Sequence, residues 1–185
     1  MPEKLSEDQE PTRRDSRLDY HAARVLMLIS SYNDIHKQPL TGLTKLAKLD
    51  FLVRYPVFLE RLSETVLDRH LPDAVKPTAL ELYSVESRMV RYKYGPWDDR
   101  YYPILGTLIG LGLVEPATGE RTLTLRVTSV GRSIAESLSS HRTWSTIVSR
   151  CAFVNSNFNL TGNRLKEVIY NNLPIITAVP HRKEI

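Results

Sequence analysis

The sequence predicts a mainly helical α+β domain of the winged helix-turn-helix class, with a two- to three-stranded antiparallel wing and additional C-terminal helices. Three observations lead to this prediction. An apolar helix is predicted over 101–111, and a strand-sized segment at 113–115 precedes a turn around Gly119. Residues 123–127 then alternate as a half-buried strand does. A new helix begins near Thr128, so the order is that of the C-terminal half of a winged helix.

The residues before this unit predict the first helices of the domain. Residues 1–16 are polar, of mixed charge and without apolar periodicity, so we expect a disordered tail. Apolar side chains recur at three- and four-residue steps over 17–35, which predicts a helix. A second helix is predicted over 43–53. Its polar side chains are expected to point outward: Lys45, Lys48 and Asp50.

The middle of the chain is interrupted more often. Tyr55-Pro56 ends the second helix, because a residue before proline avoids the helical region. A third amphipathic helix is predicted over 57–69, and 70–84 are expected to form a connection or an insertion. Residues 86–94 alternate as a strand.

Polar residues at 139–143 separate two further helices from the winged unit. The first carries Cys151 on its apolar face, and the second starts near Thr161 and stops at Pro174. Such an appended pair completes a core or makes an interface with a partner. The predicted organisation is a tail at 1–16, a winged-helix domain at 17–140, a helical extension at 141–176 and a tail at 177–185.

Composition favours a soluble cytoplasmic protein. The 185 residues are 42% hydrophobic and 25% charged, which is ordinary for a globular chain. A net charge of +4 is compatible with an anionic partner but does not require one. The single cysteine excludes an internal disulfide framework. The longest apolar run is too short to cross a bilayer, so we expect no membrane contact.

The helix at 101–111 is poorly equipped to read bases. In a DNA-reading winged helix, the helix before the wing offers Arg, Lys, Asn or Gln to base edges. Here Asp98 and Asp99 stand at the helix start, where carboxylates suit the free N–H groups but repel phosphates. Gly106 and Gly110 lie on one face and could admit another backbone, and packing within the same domain is expected there. For this helix we therefore favour a buried or partner-docked role over the reading of bases.

Basic residues could still form a surface for backbone phosphates, each contact adding a salt-sensitive increment of affinity. Scattered solvating charges, partly offset by nearby glutamates, are the alternative. The candidates for nucleic-acid binding are Arg121, Arg126, Arg132, Arg91, Lys93, Lys45 and Lys48.

Aromatic residues cluster between Tyr92 and Tyr102. Such a cluster can stack bases, anchor an interface or form a half-buried core. Together with two aromatic residues of the C-terminal helices, they supply the candidates for a protein interface. These candidates are Trp97, Tyr101, Tyr102, Trp144 and Tyr170.

The chain shows no pattern of catalysis or of cofactor binding. The five histidines are dispersed, without metal-ligand spacing, and a glycine-rich phosphate loop is missing. Cys151 is expected to be a small core residue. We predict a protein that is not an enzyme and that carries neither a metal nor a cofactor.

Three segments, taken in order, resemble a known family. They are 45–56, 92–98 running into 110–114, and 165–174. Their order and spacing are similar to the small middle component of bacterial three-component ABC-ATPase conflict systems, a group that includes the Lamassu antiphage systems. The resemblance covers about Leu18 to Pro174 and includes no catalytic signature.

The resemblance implies a non-enzymatic winged-helix adaptor or regulatory subunit. Its partners would be a large ABC ATPase of the SMC or Rad50 type and a separate effector, usually a nuclease. Contact with double-stranded DNA would be peripheral and made through phosphates. The alternative is a stand-alone dimeric winged-helix transcriptional regulator, which would need specific operator binding that survives physiological salt.

Overall fold

The computed structural model describes residues 18–79, 81–82, 89–117 and 122–185. As predicted, the fold is mainly helical with small antiparallel sheets. The helices are α1 (Leu18–His36), α2 (Leu43–Arg54), α3 (Pro56–Leu67), α4 (Tyr101–Gly110), α5 (Ser129–Ser139), α6 (Ser145–Asn157), α7 (Gly162–Asn172) and α8 (Pro174–Ala178). The strands are β1 (Leu40–Thr41), β2 (Val90–Tyr92), β3 (Gly95–Trp97), β4 (Val114–Pro116) and β5 (Thr124–Val127).

Helix α1 is the centre of the core. Val25, Leu28 and Ile29 are fully buried on it, and α4, α5 and α6 pack around it. Helix α6 belongs to the segment that the sequence predicted as an extension, yet it is bonded directly to α1. The side chain of Asn155 donates to the Leu28 carbonyl at 3.1 Å. Residues on both sides of the predicted boundary at 140 therefore share one core.

Helix α2 differs from its prediction. Lys48 and Asp50 were expected to point outward, but only 2% and 0% of their surfaces are exposed. The expectation was wrong because α2 is contacted from several directions, by β3, α6 and α7. A helix enclosed in this way has no solvent face at mid-length, so its polar side chains must find partners inside the protein.

Strands β4 and β5 form the predicted hairpin, and β1 adds a third strand to it. The order is β1-β5-β4, with Leu40 opposite Leu125 and Val114 opposite Val127. The predicted turn around Gly119 lies outside the described residues. Helix α4 precedes this sheet and α5 follows it, so the predicted order of helix, hairpin and helix is present.

The C-terminal segment does not drift away from the fold as the sequence predicted. The Arg182 N–H donates to the Arg91 carbonyl at 2.7 Å, and the Ile185 N–H donates to the Met89 carbonyl at 2.8 Å. This segment therefore occupies one edge of β2, and β3 occupies the other. Within the part of the predicted strand 86–94 that is described, only Val90–Tyr92 form β2.

A buried arginine fastens the connection after α3. Arg150 on α6 donates to the carbonyls of Val75 and Lys76 and forms an ion pair with Glu81. The sequence analysis did not single out Arg150. The described residues of this connection, 70–79 and 81–82, are therefore bonded to the core on the side of α6.

Candidate functional site

The basic residues predicted to bind nucleic acid are divided among separate parts of the fold. Arg121 lies outside the described residues. Arg126 is exposed on β5 and lines a depression of about 330 Å³ together with Lys37 and Arg132. Arg132 forms an ion pair with Asp34, which reduces its availability to a phosphate.

Three further candidates lie elsewhere. Lys45 donates to the Tyr32 hydroxyl at 2.9 Å and to the side-chain oxygen of Asn159 at 2.6 Å. Arg91 donates to the Val179 carbonyl at 2.6 Å, which joins β2 to the C-terminal segment. Lys93 is exposed at the turn between β2 and β3. Two of these three cations therefore have structural partners.

The predicted interface aromatics also have different environments. Tyr101 is fully buried and donates its hydroxyl to Asp50 at 2.7 Å, so the prediction that it lies at an interface is wrong within this chain. Trp144 stacks on Tyr20 with ring centroids 5.1 Å apart. The Tyr170 hydroxyl donates to the Tyr92 carbonyl at 2.8 Å. Tyr102 is the most exposed of the five, at 65%.

The buried face of α4 is held by a network of charged side chains. Arg24 donates to both carboxylate oxygens of Asp50, at 2.7 and 3.0 Å. Asp98 accepts from Arg54 at 2.9 Å and from the backbone N–H of Arg100 at 3.0 Å. Asp98 thus accepts a backbone N–H just before α4 and joins this end of α4 to α2, but no side chain caps the first turn of α4 as predicted.

Burial and pairing oppose each other in this network. Desolvation raises the pKa of Asp50, but the charge and hydrogen bonds of Arg24, with smaller effects of Arg54 and Tyr101, lower it below its ordinary value. Burial raises the pKa of the Cys151 thiol, which lies in the core as predicted. Each charged residue of this network has an oppositely charged partner, and we interpret the network as structural.

The outer face of α4 is apolar and uncovered. Tyr102, Ile109 and the following residue Leu111 are 65%, 36% and 65% exposed. Gly106 and Gly110 lie on the same exposed side, and a Cβ built on either would have no atom within 4 Å. The expectation that these glycines pack inside the domain was therefore wrong.

A second feature lies beside the start of α4. The aromatic cleft, as we call it, has a volume of about 610 Å³ between α2, the β2–β3 hairpin, α4 and the C-terminal segment. Aromatic and charged side chains share its wall. Those that matter for its chemistry are Lys48, Tyr92, Trp97, Asp99, Tyr102 and Arg182.

Sequence reasoning identified Tyr92, Trp97 and Tyr102 as a cluster that could stack bases, but it did not place Lys48 and Arg182 beside them. The hydrophobic pattern of α2 put Lys48 on a solvent face, and Arg182 lies in a predicted tail. No local signal joins the two cations, because they are more than a hundred residues apart in the chain.

Among the described residues, no group of three or more histidine, cysteine or acidic side chains is placed to hold a metal ion. None of the described helices combines the length and the hydropathy needed to cross a membrane. Features that could bind a partner or ligand in this part of the chain include the outer face of α4, the depression beside Arg126 and the aromatic cleft.

Comparison with known proteins gives no information about these features, so we interpret them from their own chemistry. The chain matches no family model, no curated protein and no solved structure.

Proposed function

We propose that the protein is a non-enzymatic winged-helix subunit that binds an SMC-like ABC ATPase and its effector in an antiphage or anti-plasmid defence complex. The element order supports the winged helix: β1 follows α1 and completes a sheet with the hairpin that follows α4. Helix α4 then has the position of the recognition helix. The resemblance of three sequence segments to the middle component of such systems supports the choice of partner.

The observation that carries this proposal is the character of the outer face of α4. A helix that reads DNA needs hydrogen-bonding side chains directed at base edges. The exposed positions of α4 instead carry Tyr102, Pro103, Ile109 and two glycines. Glycines four residues apart allow a second helix to approach closely. We infer that α4 contacts an apolar helix of the ATPase and leaves base edges unread.

Substitution of Gly106 by arginine tests this assignment. Because nothing lies within 4 Å of its missing side chain, Gly106→Arg should not lower the thermal stability of the isolated protein. A charged side chain on this face should nevertheless abolish co-purification with the ATPase when the protein is expressed with its neighbouring genes. Thr65→Arg, on the exposed side of α3, is the matched control and should retain the complex.

Two results would contradict the proposal. One is the absence of any complex between the wild-type protein and an ATPase encoded nearby. The other is a complex that survives Gly106→Arg unchanged, which would leave α4 out of the interface even if the ATPase is the partner.

Peripheral contact with DNA phosphates is a further part of the proposal, supported by exposed Arg126 beside Lys37. We expect Arg126→Glu to weaken binding to duplex DNA. The slope of log affinity against log salt should become shallower by about 1, because one phosphate contact is lost. Fluorescence anisotropy over a salt series measures both quantities. Arg61→Glu, on the exposed side of α3, should have a smaller effect; equal effects would indicate non-specific attraction.

A further inference from the structure

The aromatic cleft has the dimensions and the chemistry of a small-ligand site. Its volume of about 610 Å³ is in the range of pockets that enclose small molecules. Such pockets combine an apolar wall with a few polar groups that orient the ligand. Here the wall is aromatic and the polar groups include two cations, so the ligand should contain a ring and an anionic group.

The first cation is Lys48, which is almost fully buried. Only 2% of its surface is exposed, and its ammonium donates to the Thr44 carbonyl at 3.0 Å. No carboxylate in the described part of the chain forms an ion pair with it. Burial, and to a smaller extent the charge of Lys166, lower the pKa of Lys48 to about 8, so it is still largely charged at neutral pH. A buried charge without a counter-ion destabilises a fold, and an anionic ligand would supply one.

The backbone opposite Lys48 is shaped to admit this side chain. Gly95 has a φ of 120°, which disfavours any other residue, and a Cβ there would lie 2.6 Å from Cε of Lys48. The first residue of β3 therefore leaves space that the lysine occupies.

The second cation is Arg182, which reaches the cleft from the C-terminal segment. Its backbone has a φ of 64°, unusual for a residue with a side chain. The hydrogen bond from its N–H to the Arg91 carbonyl holds this conformation. Unlike Lys48, the side chain of Arg182 is exposed to solvent.

The rings of the cleft leave room for a stacked partner. Trp97 has ring contacts with Tyr92, Tyr101 and Tyr102, tilted by 39°, 61° and 62°. In the described part of the chain, none of the rings that contact Trp97 lies parallel to its indole. Its Nε1 donates to Asp99 at 2.8 Å, which fixes its orientation. A planar group could therefore stack on Trp97 without displacing another aromatic side chain.

We propose that the aromatic cleft binds a nucleotide unit, with the phosphate between Lys48 and Arg182 and the base against Trp97 and Tyr102. Nucleobases stack on aromatic side chains whatever their sequence. An acidic peptide without an aromatic side chain fits less well, because it has no planar group to stack on Trp97. A peptide also cannot add as a strand to β2, since β3 and the C-terminal segment occupy its two edges.

The proposal is tested by isothermal titration calorimetry, which measures the affinity of the full-length chain for each probe. The probes are AMP, GMP, CMP, UMP and a short 5′-phosphorylated oligothymidylate. We expect saturable binding, weakened at least tenfold by Lys48→Met and several-fold by Arg182→Met. Lys183→Met removes a neighbouring exposed cation that does not line the cleft, and it should leave the affinity unchanged. Lys48→Met should not lower the midpoint of thermal unfolding, because it replaces an unpaired buried charge with an apolar chain of similar length.

The probes distinguish the sources of the nucleotide. Tighter binding of a mononucleotide than of the oligonucleotide would indicate a free nucleotide. Binding of the oligonucleotide alone, with the same sensitivity to Lys48→Met, would assign the cleft to the end of a strand. The proposal fails if no probe binds at millimolar concentration, if binding is unaffected by Lys48→Met in folded protein, or if an acidic peptide binds there and nucleotides do not.

This inference goes beyond the proposed adaptor function and does not depend on it. Tyr102 belongs to both the cleft and the outer face of α4. Lys48 belongs to the cleft only, and Gly106 belongs to the outer face only. Loss of nucleotide binding in Lys48→Met with the ATPase complex intact would separate the two activities.

Discussion

Replacement of Asp50 by asparagine is expected to lower the free energy of unfolding by about 3–5 kcal/mol, because it leaves the buried guanidinium of Arg24 without its counter-ion. Arg24 and Asp50 are 2% and 0% exposed, and their side chains share two hydrogen bonds. Water cannot replace the lost carboxylate charge at such a position. Urea unfolding followed by circular dichroism at neutral pH measures the change.

A double substitution is the control for this prediction. Arg24→Met with Asp50→Leu removes both charges, and apolar replacements of buried ion pairs are often close to neutral. The double variant should therefore be more stable than Asp50→Asn alone. A loss below about 1 kcal/mol for Asp50→Asn would contradict the view that this pair supports the core.

Carboxylates that pair with arginine inside the protein predict how its stability responds to acid. Burial raises the pKa of Glu81, but hydrogen bonds from Arg150 and Thr78 and the charge of Arg150 lower it to about 2. Burial also raises the pKa of Asp98, but hydrogen bonds from Arg100 and the charge and hydrogen bond of Arg54 lower it below its ordinary value. A group whose pKa is lower in the folded state contributes stability above its unfolded pKa and loses it as pH falls. The free energy of unfolding should thus decrease below about pH 4, and Asp50→Asn should reduce this dependence.

Replacement of Gly131 by alanine is the second substitution with a large expected effect. A Cβ at this position would lie 1.9 Å from the carbonyl oxygen of Leu113, which is a backbone atom and cannot turn aside. Helix α5 would have to move away from the turn that follows α4. We expect a loss of about 2–3 kcal/mol, measured by thermal or urea unfolding, although alanine is the better helix former.

Gly106→Ala in α4 is the matched control. It makes the same chemical change inside a helix, but nothing lies within 4 Å of the added methyl group. Helix propensity alone should then act, and the variant should gain up to about 1 kcal/mol. If both variants change the free energy of unfolding in the same direction, the close contact between α5 and Leu113 does not determine the effect at Gly131.

Periodicity and breakers were sufficient to predict most of the helices. The pattern at 17–35 corresponds to α1, and Pro56 separates α2 from α3 as expected. Thr128 accepts from the backbone N–H of Gly131 and so begins α5 near the residue predicted. These features depend on residues a few positions apart, which is the range over which helix and cap signals act.

The interpretation of individual polar residues was less accurate. Lys48 and Asp50 lie between apolar positions on α2 and were expected to face solvent. Their burial depends on β3, α6 and α7, which are distant in sequence and surround α2 from several sides. Local hydropathy cannot register this, because it describes one helix without its neighbours.

The local order of the chain determined the helical class, the hairpin between α4 and α5 and the apolar character of α4. Tertiary structure alone decided which face of α4 remains uncovered, that Tyr101 is a core residue, and that Lys48 and Arg182 line the same aromatic cleft. The physical reason is one of range. Turn chemistry and periodicity act within a few residues, whereas the burial of a charge and the shape of a cavity depend on which distant segments pack together.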